Sequence, residues 1–251
     1  MSILKIDGLS FRYPSLDVID DVSFEVERGE LVSIMGMNGA GKSTLLKCIN
    51  RILKMSSGSV CVEDQDIEQL SSIELARRIS FVVQNASFSS TSVYDAVLLG
   101  RKPYITWNAT KHDHELVTET LERMNLDGYA LRDVTQMSGG EAQKVALART
   151  VVQQTGVMLL DEPTSNLDLK NQLEVMSIIR EEVRHRNVAA VVTMHDLNLA
   201  LRFSDRFIMV KDRKIYSAGG IETITPESIK DVYGVDVRII EVDGHKVIVP
   251  S

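Results

Sequence analysis

The sequence predicts an α/β protein built on a mostly parallel sheet with flanking helices, and three observations carry that prediction. Short apolar strands alternate with helix-like segments in the first and last thirds of the chain, the pattern of a sheet covered on both faces. A glycine-rich loop stands between an apolar run and a helix. The middle third has no good strand and reads as a helical insert. With 251 residues, the chain suits one large domain with a sizeable core.

The first region runs to about residue 84. Apolar and polar residues alternate over 3–6 and 22–26, a turn follows at Arg28-Gly29-Glu30, and an apolar run fills 31–35. Past the glycine-rich loop, a helix is expected over 42–50, strands over 58–62 and 79–83, and a short helix over 73–78. The insert, 85–155, carries helices near 93–99, 114–124 and 141–152. Alternation then resumes over 156–219, with strands at 157–160, 188–193 and 207–210 and helices at 169–184 and 197–203. The tail, 220–251, reads as a small extension. It holds a helix over 226–232 and two alternating segments, 237–242 and 245–249. Asp243-Gly244 between those segments is a hairpin signal, because a type I′ turn needs positive φ at both central residues.

Composition narrows the class. Residues are 44% hydrophobic and 25% charged, which places the chain among globular proteins and away from disordered ones. No apolar stretch approaches the roughly 20 residues of a spanning helix, and the start lacks the features of an export signal, so a cytosolic setting is expected. A net charge of −7 argues against broad attraction to nucleic acid. Cys48 and Cys61 are too few for a disulfide framework or a four-ligand zinc site and read as small hydrophobes. His112 and His114 cannot share a helix face two residues apart. With His185 and His245 they read as solvated.

The loop Gly36-Met37-Asn38-Gly39-Ala40-Gly41-Lys42-Ser43-Thr44 fits G-x-x-x-x-G-K-[ST] in its required setting, after a strand and before a helix. Small residues let backbone N–H groups turn toward phosphate oxygens, and the helix N-terminus adds partial positive charge. Lys42 would reach the β/γ oxygens, and the Ser43 hydroxyl would ligate Mg²⁺. The apolar run 157–160 then delivers Asp161 and Glu162 at a strand C-terminus, the edge where open α/β sheets bind ligands. Asp161 would hold Mg²⁺ through its water shell and Glu162 would polarise the attacking water. Taken alone, Asp161-Glu162 before Pro163 would more often be an ordinary helix start with Asp161 as its cap.

A second anion cradle occurs at Ser138-Gly139-Gly140-Glu141, a hydroxyl and two glycines opening a helix. It cannot easily serve the phosphate already wrapped by the first loop. The simplest arrangement is a head-to-tail C₂ pair in which each copy completes the other's site. Ser138-Gly139-Gly140-Glu141 closely resembles the signature sequence of ATP-binding cassette (ABC) ATPases, and further motifs fall in that family's order over nearly the whole chain. The resemblance implies a P-loop NTPase core with an N-terminal antiparallel β subdomain and the helical insert. It implies that Tyr13 stacks on adenine, that Gln84 links site to partner and joins Ser43 and Asp161 as a Mg²⁺ ligand, and that His195 meets the γ-phosphate. It also implies that Ser165-Asn166-Leu167-Asp168 crosses the dimer interface, with Asp168 near nucleotide. Met137, Glu141 and Met37 depart from the usual Leu, Gln and Pro. None of these changes removes a polar group the chemistry needs. Outside that order Tyr13 could simply pack over the sheet edge, and a lone His195 would more often be structural.

The implied activity is ATP hydrolysis, with Lys42, Gln84, Glu162 and His195 as catalytic residues and ATP and Mg²⁺ as ligands. Among the family's roles, Gly100-Arg101-Lys102-Pro103-Tyr104 and the run from Asp168 to Glu174 resemble importers of iron chelates, haem and cobalamin. Two copies would then sit beneath two transmembrane permease subunits on the cytoplasmic side of the membrane, with an external binding protein delivering substrate. The stretch 84–92 running into 93–99 would form a groove that accepts a short helix from a permease subunit. A soluble cassette ATPase of iron–sulfur cluster assembly would share every catalytic residue. A nucleic-acid or ribosome-associated clamp fits the length and the acidic balance poorly, and a nucleotide-binding scaffold that never hydrolyses is disfavoured by Asp161, Glu162 and His195.

Overall fold

The computed structural model describes residues 2–84 and 88–251. Residues 85–87, part of both the expected insert and the expected groove, lie outside the described residues. The first part of the chain forms β1 (Ser2–Tyr13), β2 (Leu16–Glu27), β3 (Leu31–Met35), α1 (Lys42–Ile49), β4 (Ser57–Val62), β5 (Gln65–Asp66), α2 (Ser72–Arg78) and β6 (Ile79–Val82). The middle is helical, with α3 (Val93–Leu98), α4 (Lys111–Arg123) and α5 (Gly139–Val152). There follow β7 (Val157–Asp161), α6 (Leu169–Arg186), β8 (Ala189–Thr193), α7 (Leu197–Phe203), β9 (Arg206–Lys211) and β10 (Lys214–Gly219). The tail adds α8 (Pro226–Tyr233), β11 (Val237–Val242) and β12 (His245–Pro250).

The central sheet has the order β10-β9-β3-β8-β7-β6. Its strands run parallel except β10, which pairs antiparallel with β9 at the edge. Every residue of β3, β7 and β8 is buried, as both faces of a parallel sheet must be when helices or another sheet cover them. The strand period of two then divides the core. Val32, Ile34, Leu159 and Val191 join a cluster with α1 and the N-terminal strands, whereas Leu31, Met35, Leu160 and Val192 join one with α3 to α8. The N-terminal strands form the expected antiparallel sheet, in the order β2-β1-β4-β5.

Helices α3, α4 and α5 pack through Val97, Val117, Leu121, Val145 and Val152. A buried ion pair pins them together. Arg101 Nε donates to Asp113 Oδ1 at 2.8 Å and its Nη1 to the carbonyl of Val152 at 3.1 Å, while Asp113 Oδ2 accepts from the backbone and hydroxyl of Thr110. Both side chains are sealed from solvent. His114 corrects an expectation: it is exposed, but its Nδ1 lies 2.7 Å from the Tyr94 hydroxyl and its ring stacks on Tyr94, because the packing of α3 on α4 brings the two together. His112, His185 and His245 are exposed as expected, and Cys48 and Cys61 are free thiols. Burial pushes the Cys48 thiol up to about 12, which keeps it protonated and inert. Among the described residues no helix is long and apolar enough to cross a membrane.

Candidate nucleotide site

The glycine-rich loop connects β3 to α1 at the C-terminal edge of the central sheet. Gly41 precedes the helix with φ of 93°, and a side chain there would meet the Val18 carbonyl at 2.8 Å, so only glycine fits without strain. No side chain caps the N-terminus of α1. Its free N–H groups and partial positive charge remain available to an anion. Lys42 is buried, and its Nζ donates to the carbonyls of Gly36 at 2.7 Å and Met37 at 3.0 Å. An ammonium has three protons to give. Burial lowers the Lys42 pKa, and the nearby charges of Glu162 and Asp161 oppose that shift. The cation is thus desolvated in advance.

Strand β7 supplies the facing acids. Asp161, its last residue, is buried, and its Oδ1 accepts from the hydroxyls of Ser43 and Thr193, both at 2.8 Å. Glu162 then leaves the strand with φ of 48°, a left-handed conformation uncommon for a residue with a side chain. Its backbone N–H donates to the Thr193 hydroxyl at 2.9 Å, so Thr193 ties the two acidic residues to β8. Gln84 Nε2 donates to Glu162 Oε2 at 2.5 Å, and His195 Nε2 is hydrogen-bonded with Glu162 Oε1. Two side chains from separate chain segments therefore hold one carboxylate, one on each oxygen.

These groups border a cleft of about 440 Å³, within the range of small-molecule sites. Tyr13, Asn38, Gly39, Gly41, Lys42, Ser43, Thr44, Gln84, Glu162 and His195 line it, as do Leu16 and Val18. Tyr13 packs edge-on against Phe11 at 4.9 Å while remaining 42% exposed, so it covers the sheet edge and also presents a ring to the cleft. Gly36 and Met37 sit behind the lining, where their carbonyls hold Lys42. Ala40 packs against the core beneath the loop. Leu16, Val18 and Thr193 were not anticipated. For Thr193 the signal was a hydroxyl ending an otherwise apolar strand two residues before His195.

Ser138, Gly139, Gly140, Glu141 and Asp168 are not among the described residues lining the cleft. Ser138 caps α5 in a reciprocal box: its hydroxyl accepts from the Glu141 N–H, and its own N–H donates to Glu141 Oε2 at 2.8 Å. Those Ser138 bonds hold the Glu141 carboxyl below the usual carboxylate range. Asp168 caps α6 by accepting from Asn171 N at 2.8 Å, and the Asn171 side chain lies directly against Gly140. The two motifs thus adjoin each other on a surface apart from the cleft.

The family model described as ABC transporter matches residues 19–165, more than half of the chain. The chain belongs to the ABC transporter family. It is an ATPase, converting ATP and water to ADP and phosphate. Over its whole length this cassette is 54% identical to an uncharacterized ABC transporter ATP-binding protein of Methanocaldococcus jannaschii, covering 98% of that protein. It is 37% identical, over 94% of its length, to a cobalamin import ATP-binding protein of Halobacterium salinarum, of which it spans 60%. Its fold matches a cassette solved in an inward-facing conformation of an ABC transporter, with TM-score 0.86 and 27% identity, covering 100% of this chain and 97% of that one.

The site suits a magnesium ion accompanying the nucleotide. The Ser43 hydroxyl, the Asp161 carboxylate and the free carbonyl oxygen of the Gln84 amide are the hard oxygen donors that Mg²⁺ takes, alone or through its waters. Bound there, the ion would neutralise charge on the β and γ phosphates.

Proposed function

We propose that this ABC ATPase works as a head-to-tail homodimer beneath a membrane permease and powers uptake of an iron chelate, haem or cobalamin. The observation that carries the dimeric reading is the position of Ser138: a helix N-terminus suited to phosphate stands outside the cleft, on a separate surface beside Asp168. Each cleft is then half an enclosure, completed by Ser138-Gly139-Gly140-Glu141 and Asp168 of a second copy. Tyr13 stacks on the base, the loop and Lys42 hold the phosphates, and Glu162, aligned by Gln84 and His195, orients water toward the γ-phosphate.

Closure expels water, which strengthens each charged contact. A unit pair at 4 Å is worth about 4 kcal/mol at an effective dielectric near 20. ADP lacks the phosphate that bridges Lys42 and the second copy's Ser138, so hydrolysis releases the pair, and opening and closing is the output passed to the permease. The cobalamin import relative and the importer-like runs at 100–104 and 168–174 support the substrate class. An external binding protein would deliver the substrate, and the cassette would sit peripherally on the cytoplasmic face. Expression with two permease subunits tests this directly. The cassette should sediment with membranes and come off in high salt without detergent; recovery wholly in the soluble fraction beside its permease overturns the importer reading.

A further inference from the structure

His195 is the middle residue of the three-residue link, Met194 to Asp196, between β8 and α7. Its ring is 43% exposed and held by Glu162, so its placement depends on the backbone that carries it. On one side that backbone is fixed by β8, a central strand paired on both edges. On the other side it enters α7, a seven-residue helix capped by Asp196, whose Oδ1 accepts from Leu199 N at 2.9 Å. Leu199, Ala200 and Leu201 of α7 are buried in the core. Asn198, beside them on α7, meets the C-terminal extension.

That contact is specific. Asn198 Oδ1 accepts from the Ile248 N–H at 2.8 Å, and Asn198 Nδ2 donates to the Ile248 carbonyl at 3.2 Å. The amide satisfies both backbone groups of one residue on β12, as a neighbouring strand would. The hairpin itself is in continuous register from Val237↔Pro250 to Val242↔His245 and is anchored through Val237 and Ile248, which reach the core. A lone two-stranded hairpin is marginal in water, so helix and hairpin stiffen each other.

We propose that the C-terminal extension is a brace for the catalytic site, and that Asn198 is a positioning residue which, by clasping Ile248, fixes the backbone from which His195 reaches Glu162. Misplacement of a reacting group by about 1 Å can cost about 100-fold in rate. Only Asp196 and Leu197 separate His195 from Asn198, and a partial displacement is expected. The inference rests on the proposed role of His195 in the site.

The test compares Asn198→Ala, Asn198→Asp and His195→Ala in the full chain, reading phosphate release at varied MgATP and the ring resonances of the five histidines. Asn198→Ala should lower kcat about 5- to 20-fold with KM for ATP within twofold. It should move the His195 resonance while leaving those of His112, His114 and His185 in place. Asn198→Asp keeps the bond from the Ile248 N–H and should recover part of the rate. Unchanged kcat, an unmoved His195 resonance, or an equal shift at all histidines overturns the brace. A fully active His195→Ala instead removes His195 from the site, a separate failure of the functional reading.

Discussion

Ser43 donates its hydroxyl to Asp161 Oδ1 at 2.8 Å, joining the start of α1 to the end of β7 across 118 residues of sequence. A hydroxyl and a carboxylate brought together at the mouth of a phosphate loop are hard oxygen donors of the kind that hold Mg²⁺ against a triphosphate. Asp161→Asn keeps an acceptor oxygen for Ser43 and Thr193 but removes the charge and turns the second oxygen into a donor. Turnover should fall at least 100-fold, with nucleotide binding in the absence of magnesium little changed. A magnesium titration of phosphate release is the check, and an unchanged half-saturating concentration would remove Asp161 from the metal site.

Glu162 is held by Gln84 on one oxygen and His195 on the other. Glu162→Gln preserves the size of the side chain and abolishes its capacity as a base. ATP should still bind, turnover should drop by at least 100-fold, and a dimer should accumulate with ATP and magnesium, visible by light scattering. Normal turnover would take Glu162 out of the chemistry.

Much of this was legible in the sequence where local chemistry and pattern agree. Asp243-Gly244 announced the last hairpin because glycine takes the positive φ the turn demands. The structure uses the same left-handed pair at Asp212-Arg213 and Glu63-Asp64, where no glycine marks it, so β10 and β5 went unread. Likewise the loop and Asp161-Glu162 are contiguous motifs, whereas Thr193 is defined only by its partners across the sheet. Leu16 and Val18 line the cleft because β2 folds back along β1 beside Tyr13, a long-range consequence that periodicity alone does not contain.

The Arg101–Asp113 pair makes the insert sensitive to acid. Burial pushes the Asp113 carboxyl up, but its bonds to Arg101 and Thr110 outweigh that and bring it down to about 2 from an ordinary 3.8. The folded value lies below the unfolded one, so the contribution is present above about pH 4 and lost as pH falls toward 2. Its size is on the order of 2 kcal/mol. Asp113→Asn leaves a buried guanidinium without its counter-charge and should cost about 3–5 kcal/mol near pH 7. Urea unfolding at both ends of the range should show the gap between wild type and variant narrowing toward pH 2; an equal gap at every pH would mean that the pair is not what titrates.

Ser138 separates the dimeric site from a self-sufficient one. Its hydroxyl caps α5, so any replacement that loses the cap costs roughly 1 kcal/mol locally, and a simple truncation would confuse folding with assembly. Two substitutions resolve this. Ser138→Arg puts a long cation at the surface that, in the proposed dimer, meets the second copy's nucleotide. Ser138→Asp retains one of the best capping side chains but sets a negative charge before the γ-phosphate. Because Ser138 does not line the cleft of its own chain, both variants should bind ATP as monomers within about twofold of wild type. Both should also fail to dimerise with ATP and lose most turnover, and Ser138→Asp should do so at wild-type thermal stability. Loss of turnover at intact stability and intact monomer binding can arise only if the serine acts on a nucleotide held elsewhere; wild-type turnover in Ser138→Asp, at a specific rate independent of dilution, would mean that a single copy suffices.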